Sequence, residues 1–125
     1  MERYPDIEIY LAQTPSEALN TWLADTLAAE PLVPAGKGRW RTRGVCNGQP
    51  VPVLLVDNAT QHFACLWFNS DSTPWPTDRQ AAHSAARALD SEVRCSTGSW
   101  QPGDDPDLFW QVLPDGSESR VHWPD

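Results

Sequence analysis

Basic charge is scarce in this sequence. Lysine occurs once, at Lys37, and the nine cationic side chains are outnumbered by 17 carboxylates, which gives a formal net charge of −8. A nucleic-acid backbone or an anionic membrane surface would be repelled by this balance, so we expect neither as the main partner. A basic protein, a cationic ligand or simple solubility is compatible with it.

Long apolar runs are missing too. No stretch of about 18 apolar residues occurs, and the N-terminal residues are charged, so the sequence predicts neither a transmembrane helix nor a signal peptide. The three cysteines, Cys46, Cys65 and Cys95, are odd in number and widely spaced. This is typical of free thiols in a reducing compartment, and we therefore expect a cytoplasmic protein.

The signatures of catalysis and of cofactor binding are absent as well. The seven glycines form no phosphate loop, and no serine lies in a Gly-x-Ser-x-Gly elbow. A metal site would need His62 and His122 to converge with Glu8 or Asp57, and the spacing does not indicate this. We expect no metal, no other cofactor and no catalytic residue, although an enzyme stays open as an alternative.

The apolar and polar patterns predict an α+β fold for a single domain, 1–125. Helices are predicted near 14–30 and 77–90, and strands near 7–11, 39–46, 51–57, 63–68, 92–97, 108–113 and 118–123. The order β-α-β-β-β-α-β-β-β indicates a mostly antiparallel sheet of about seven strands with two helices on one face. A strand–helix–strand–strand pattern occurs in each half, so tandem β-α-β-β units are a further hypothesis.

Each predicted helix has an N-terminal signal and an apolar stripe. Thr14 and Thr77 are the predicted caps, and Glu17 and Gln80 stand three residues after them, as in a capping box. The stripe positions are Leu19, Trp22, Leu23 and Leu27 in the first helix, and Ala82, Ala85, Ala86 and Leu89 in the second. The small residues of the second stripe would let that helix lie close to a sheet.

Two prolines mark the start of the strand near 51–57. Asn47-Gly48 predicts a tight hairpin before it. Pro50 and Pro52 each lack an N–H donor, so we expect the strand to begin at an edge or a bulge. A self-associating structural domain that pairs through this proline-marked edge is one interpretation of the function.

Two tryptophan-bearing loops are predicted to lie at the same end of the domain. A right-handed crossover makes the strands near 63–68 and 92–97 parallel, so the loops after them leave the same edge of the sheet. Trp75 and Trp100 lie in these loops in settings that favour exposure, and the second loop also carries Asp104, Asp105 and Asp107. Two aromatic faces beside carboxylates predict a ligand- or partner-binding site. In the alternative interpretation both rings fold back over the core.

A run of cations interrupts the acidic sequence. Arg39, Arg41 and Arg43 alternate along a predicted strand, which places the three guanidinium groups on one face about 6–7 Å apart. Such a stripe can bind a phosphate, a carboxylate or an acidic partner. It can equally pair with the protein's own acids.

A second cationic row lies on the second helix. Arg79, His83 and Arg87 are spaced by four residues and therefore share one face. Two arginines beside a histidine could form an anion site or a general acid–base position. The same pattern is also typical of the solvated side of an amphipathic helix.

The leading functional hypothesis is a non-enzymatic binding or interaction module. It would be a monomer that binds an unknown protein or small molecule at the Trp75 and Trp100 loops. The alternative is a small enzyme or binder that acts on an anionic small molecule through the arginine and histidine groups.

Overall fold

The computed structural model describes residues 3–60, 62–97 and 107–123. The elements are β1 (Ile7–Leu11), α1 (Ser16–Leu27), β2 (Val33–Pro34), β3 (Arg39–Cys46), β4 (Gln49–Thr60), β5 (Phe63–Phe68), α2 (Asp78–Leu89), β6 (Val93–Ser96), β7 (Leu108–Val112) and β8 (Glu118–His122). The predicted α+β class is confirmed. In the described ranges no helix has both the length and the apolar character needed to cross a bilayer.

The first strand of the chain lies in the interior of the sheet. The strand order is β2-β3-β4-β5-β1-β6-β7-β8, and every neighbouring pair of described strands is antiparallel. Because β5 and β6 both run antiparallel to β1, they are parallel to each other, as the crossover argument predicts. The two halves of the chain have the same order of elements, but their corresponding strands lie at different positions in the sheet. The strand after α1 is an outer strand, whereas the strand after α2 lies beside β1.

Both helices pack on one face of the sheet, which forms the hydrophobic core. The predicted apolar stripes of α1 and α2 are buried there. Alternate sheet residues complete the core: Ile7, Ile9, Leu11, Val51, Val53, Leu55, Ala64, Leu66, Phe68, Val93, Cys95 and Val112. Since strand side chains alternate between faces, the residues between these positions form an open face that no described helix covers.

Gly44 sets the distance between β3 and α1. This glycine is buried on the core face, and a Cβ added to it would come within 2.5 Å of the Cβ of Leu27. Any side chain here would therefore push the strand away from the end of α1. The small residue lets the helix backbone approach the sheet closely.

The β3–β4 hairpin explains how a strand tolerates two prolines. Asn47 and Gly48 both adopt positive φ, 52° and 76°, as the predicted hairpin turn requires. The N–H positions of Pro50 and Pro52 face the β5 side, but pairing with β5 begins only at Val53. The strand therefore begins at an edge, as predicted. From Val53 to Val56 the strand is paired on both sides, so the expectation that 51–57 offers an open edge is wrong.

Two local predictions also need correction. The loop predicted between α1 and β3 contains the two-residue strand β2, which pairs with Trp40 and Arg41. The N-cap of α1 is Pro15 rather than Thr14, and it makes no side-chain capping bond. The predicted capping box of α2 is confirmed, since the side-chain oxygen of Gln80 accepts the backbone N–H of Thr77 at 3.2 Å.

Candidate functional site

The ring of Trp75 belongs to the core, so its predicted exposure is wrong. Only 7% of the residue is exposed. Its indole stacks on Trp22 with ring centroids 5.2 Å apart, and it meets Phe68 edge-on at 5.2 Å. The hydroxyl of Thr73 donates to the carbonyl oxygen of Trp75 at 2.7 Å and fixes the loop. Flanking prolines restrict the backbone but do not keep an indole out of an apolar cleft.

The rest of the predicted loop site is only partly described. Trp100, Asp104 and Asp105 lie outside the described residues. Asp107 is exposed, and its carbonyl oxygen accepts the backbone N–H of Trp123 at 2.7 Å. Without an exposed indole at position 75, the described residues do not form the proposed pair of aromatic faces.

The cationic row on α2 is largely engaged within the protein. Both side-chain oxygens of Glu118 accept hydrogen bonds from Arg79, and one of them also contacts His83 Nε2 at 2.7 Å. The hydrogen bonds from Arg79 and then from His83 lower the pKa of Glu118 to about 2. Glu118 thus offsets the charge of Arg79, while Arg87 stays exposed on the same helix.

Trp110 strengthens this network from the sheet. The Arg79 guanidinium lies 4.2 Å from the centre of its ring, and that of Arg120 lies 5.1 Å from it. Glu118 and Arg120 stand on β8, far from α2 in sequence, so spacing along the helix could not have revealed either contact. The row serves chiefly to attach α2 to the β7–β8 hairpin.

An aromatic cluster fills one half of the open face. Trp123, 3% exposed, meets the rings of Tyr10, Phe63 and Phe109 at centroid distances of 5.1–5.2 Å. The guanidinium of Arg94 lies 4.8 Å from the ring of Phe63 and 5.1 Å from that of Trp123. These contacts join the residue that follows β8 to β5 across three intervening strands, β1, β6 and β7, so the sheet curls inward at this end.

The other half of the open face holds a groove of about 550 Å³. Arg41 and Arg43 line it together with the side chains of Pro52, Leu54 and Trp67, and the chain at Glu30, Pro31 and Val33 forms its outer wall. We call this feature the arginine groove. The alternating burial of β3 confirms that Arg39, Arg41 and Arg43 share the exposed face.

Among the residues that the structure describes, no carboxylate forms an ion pair with the cations of the arginine groove. The described ion pairs involve Arg79, His83 and Arg94, and none joins a described carboxylate to Arg39, Arg41 or Arg43. The expected alternative of internal pairing therefore does not hold among the described residues. The lining of the groove contains one acidic residue, Glu30, and two arginines, so its formal charge is positive.

Trp67 supplies a rigid apolar surface beside these cations. Its indole Nε1–H donates to Asp6 Oδ2 at 2.7 Å, and the side chain is half-buried. Sequence reasoning assigned this residue to an apolar strand and missed its place in the groove. The alternation of Phe63, Cys65 and Trp67 against the buried Ala64, Leu66 and Phe68 was the available signal.

A polar cluster of Glu8, Tyr10 and Cys65 lies between the two halves of the open face. The Tyr10 hydroxyl donates to Glu8 Oε1 at 2.8 Å. Burial, and after it the nearby Glu8 carboxylate, raises the pKa of the Tyr10 hydroxyl. The same two causes raise the pKa of the Cys65 thiol to about 12. Burial also raises the pKa of Cys95 to about 12. Neither thiol is therefore a nucleophile at neutral pH.

Asp78, the first residue of α2, links that helix to the sheet. Its Oδ1 accepts the backbone N–H of Glu8 at 3.1 Å, and its Oδ2 accepts the Ser96 hydroxyl at 3.3 Å. Burial raises the pKa of this carboxyl to about 6, although both hydrogen bonds act in the opposite direction.

The raised pKa of Asp78 makes stability depend on pH. The folded protein holds the proton of Asp78 more tightly than the unfolded chain does. The stabilisation that comes from this proton is therefore complete below about pH 4 and is lost as the pH rises through about 6. Asp78→Asn keeps an acceptor for the Glu8 N–H and has no charge to bury. We expect its stability relative to the unsubstituted protein to rise by roughly 2 kcal/mol between pH 4 and pH 7. Urea unfolding across this range measures the difference, and a pH-independent value would contradict the prediction.

Within the described ranges, no group of three or more His, Cys, Asp or Glu side chains has the arrangement of a metal site.

Comparison with protein-family models, curated proteins and solved structures gives no match for this chain, so function must be argued from its own side chains.

Proposed function

We propose that this protein is a non-enzymatic binding domain whose arginine groove holds a carboxylate-bearing segment of a partner protein. The observation that supports this is the placement of Arg41 and Arg43, exposed and unpaired with any described acid, beside the fixed indole of Trp67. Two planar guanidinium groups suit bidentate binding of carboxylates, and the indole suits the apolar side chains around them.

The composition of the groove favours binding over catalysis. Its described lining contains no histidine, cysteine or serine that could act as a nucleophile or as a proton carrier near neutral pH. The rest of the protein is strongly acidic and would repel an acidic segment, which restricts such a partner to the arginine stripe. A reducing, cytoplasmic setting is part of the proposal, since all three cysteines are free thiols.

The test uses an eight-residue peptide that alternates glutamate and valine. We expect it to bind the unsubstituted protein and to shift the NMR signals of the Trp67 indole and of the Arg41 and Arg43 backbone amides. The double variant Arg41→Ala/Arg43→Ala should bind at least tenfold more weakly, because it loses two charge-assisted contacts. Affinity should also fall as the salt concentration rises.

The matched control is Lys37→Ala/Arg87→Ala. Both residues are exposed and lie outside the groove, and the substitution changes the net charge by the same amount. We expect this variant to retain the peptide affinity within about twofold. Equal losses in the two double variants would show a general charge effect and contradict the assignment of the site.

A further inference from the structure

We propose that the partner segment crosses the strands of the open face and carries a basic residue at its far end, where Asp6 and Glu8 bind it. This inference rests on the proposed function and names the sequence class of the partner: an acidic, an apolar and a basic residue, each two positions from the next. The occupant is thus an extended segment of another protein with charges of both signs.

The strand register aligns a row of side chains across the open face. Arg41 is paired with Leu54, and Leu54 is paired with Trp67. Trp67 is paired in turn with Glu8 of β1. Since directly paired residues of antiparallel strands share a face, all four side chains lie on the open face. The row runs from a cation, over two apolar side chains, to a carboxylate.

A second row runs beside the first and has the same polarity. Arg43 is paired with Pro52, whose carbonyl oxygen accepts the backbone N–H of Asn69 at 2.9 Å. The β1–β5 register, extended by one position, places Asp6 beside Asn69. Asn69 and Trp67 line the arginine groove, so both rows end in a carboxylate that lies one strand beyond its inner wall.

The two carboxylates at β1 have no cation partner among the described residues. Asp6 accepts the indole N–H of Trp67 at 2.7 Å. Glu8, which is exposed, accepts the Tyr10 hydroxyl at 2.8 Å. Both donors are neutral, and none of the described ion pairs includes either carboxylate. Their negative charge is therefore available to a basic side chain of a partner.

The separation of the two charged ends sets the length of the segment. The strands β3 and β1 are three strand spacings apart, which is about 14 Å between their backbones. An extended chain rises about 3.3 Å per residue, so residues four positions apart span about 13 Å and point to the same side. The residue midway between them comes over Leu54 and Trp67. A free amino acid is too short to reach both ends.

Shape and net charge disfavour a second copy of this chain as the occupant. The open face is concave, with the wall at Glu30, Pro31 and Val33 on one side and the curled aromatic cluster on the other. Two concave faces cannot meet along their floors, whereas a single extended segment fits between the walls. Two copies with a formal net charge of −8 each would also repel one another.

The test uses seven-residue peptides in which glutamate, valine and a variable residue alternate with threonine. The variable residue is lysine, glutamine or glutamate, so only the charge at the β1 end changes. We expect the lysine peptide to bind the unsubstituted protein at least threefold more tightly than the glutamine peptide, which is the size of a partly exposed ion pair. The glutamate peptide should bind most weakly. Isothermal titration calorimetry measures the three affinities.

The variant Asp6→Asn/Glu8→Gln should abolish this preference for lysine. Its amides still accept the two hydrogen bonds described above, so the substitution removes the charge and keeps the local structure. The matched control is Glu17→Gln/Asp25→Asn, which removes two exposed carboxylates from α1, on the other face of the sheet. The control should keep the preference, which separates a local contact from the general attraction of an acidic protein for a cation.

Each other result overturns the inference. A lysine preference below threefold, with all three peptides weakened by Arg41→Ala/Arg43→Ala, would leave the arginine groove as a binding site but remove its second end. A preference that survives Asp6→Asn/Glu8→Gln would place the lysine elsewhere. If neither these peptides nor the glutamate–valine peptide binds, the proposed function fails as well. A dimer in sedimentation that Arg41→Ala/Arg43→Ala dissociates would place a second copy on the open face instead.

A spin label decides the question if Asp6→Asn/Glu8→Gln does not fold. The label is attached at the end of the peptide beside the lysine. It should broaden the backbone amide signals of Asp6 and Glu8 in the unsubstituted protein more than those of Arg41 and Arg43. The reverse order of broadening would contradict the proposed placement of the segment.

Discussion

Replacing Trp75 with alanine is expected to lower the free energy of unfolding by about 3–5 kcal/mol. The side chain is buried between Trp22 and Phe68, so its removal leaves a cavity between α1 and β5 that the surrounding rings cannot fill. Urea unfolding followed by far-UV circular dichroism measures the loss.

Trp75→Phe is the matched control for this substitution. It keeps an aromatic ring in the cleft and should lose less than half as much stability as the alanine variant. A loss below about 1 kcal/mol for Trp75→Ala would mean that the ring is not part of the core, and would restore it as a surface available for binding.

Gly44→Ala is expected to destabilise the protein by about 1–3 kcal/mol or more, although it adds a single methyl group. The new Cβ would lie 2.5 Å from the Cβ of Leu27 and 2.8 Å from its carbonyl oxygen. The clash involves helix backbone, which cannot rotate away as a long side chain could. The strand β3 must therefore separate from the end of α1, and urea unfolding should show the cost.

The neighbouring residue on β3 gives the control. Val45 lies on the opposite, exposed face, and Val45→Ala should change stability by no more than about 0.5 kcal/mol. If Gly44→Ala proved as mild as that substitution, the close approach of α1 to the sheet would not be a constraint on the fold.

Much of the fold could be predicted from the sequence, because its strongest patterns are local. The stripes of both helices, the Asn47-Gly48 hairpin and the face of the Arg39–Arg43 run depend only on side-chain periodicity and turn chemistry. The strand β2 was missed because two residues, one of them a proline, carry no periodic signal. Its pairing is imposed by the neighbouring edge of β3.

The candidate site was harder to predict, because burial and ion pairing depend on distant parts of the chain. Prolines on both sides of Trp75 suggested exposure, but its ring is buried because it stacks on Trp22 of α1, which lies far away in the sequence. The pairing of Arg79 with Glu118 likewise joins residues far apart in sequence. The arginine groove could be anticipated only as a stripe of charge, since its indole, contributed by Trp67, comes from a strand two positions away in the sheet.

The interior position of β1 has a kinetic consequence. Ile9 pairs with Leu66 and Leu11 with Val93, so the middle of the sheet closes only after distant segments have met. Loop closure over such separations costs entropy before any contact compensates for it, and sheets built this way fold slowly. During synthesis β1 is made before both of its partner strands, β5 and β6, and must wait for them. Until then its apolar side, Ile7, Ile9 and Leu11, is a natural target for chaperones.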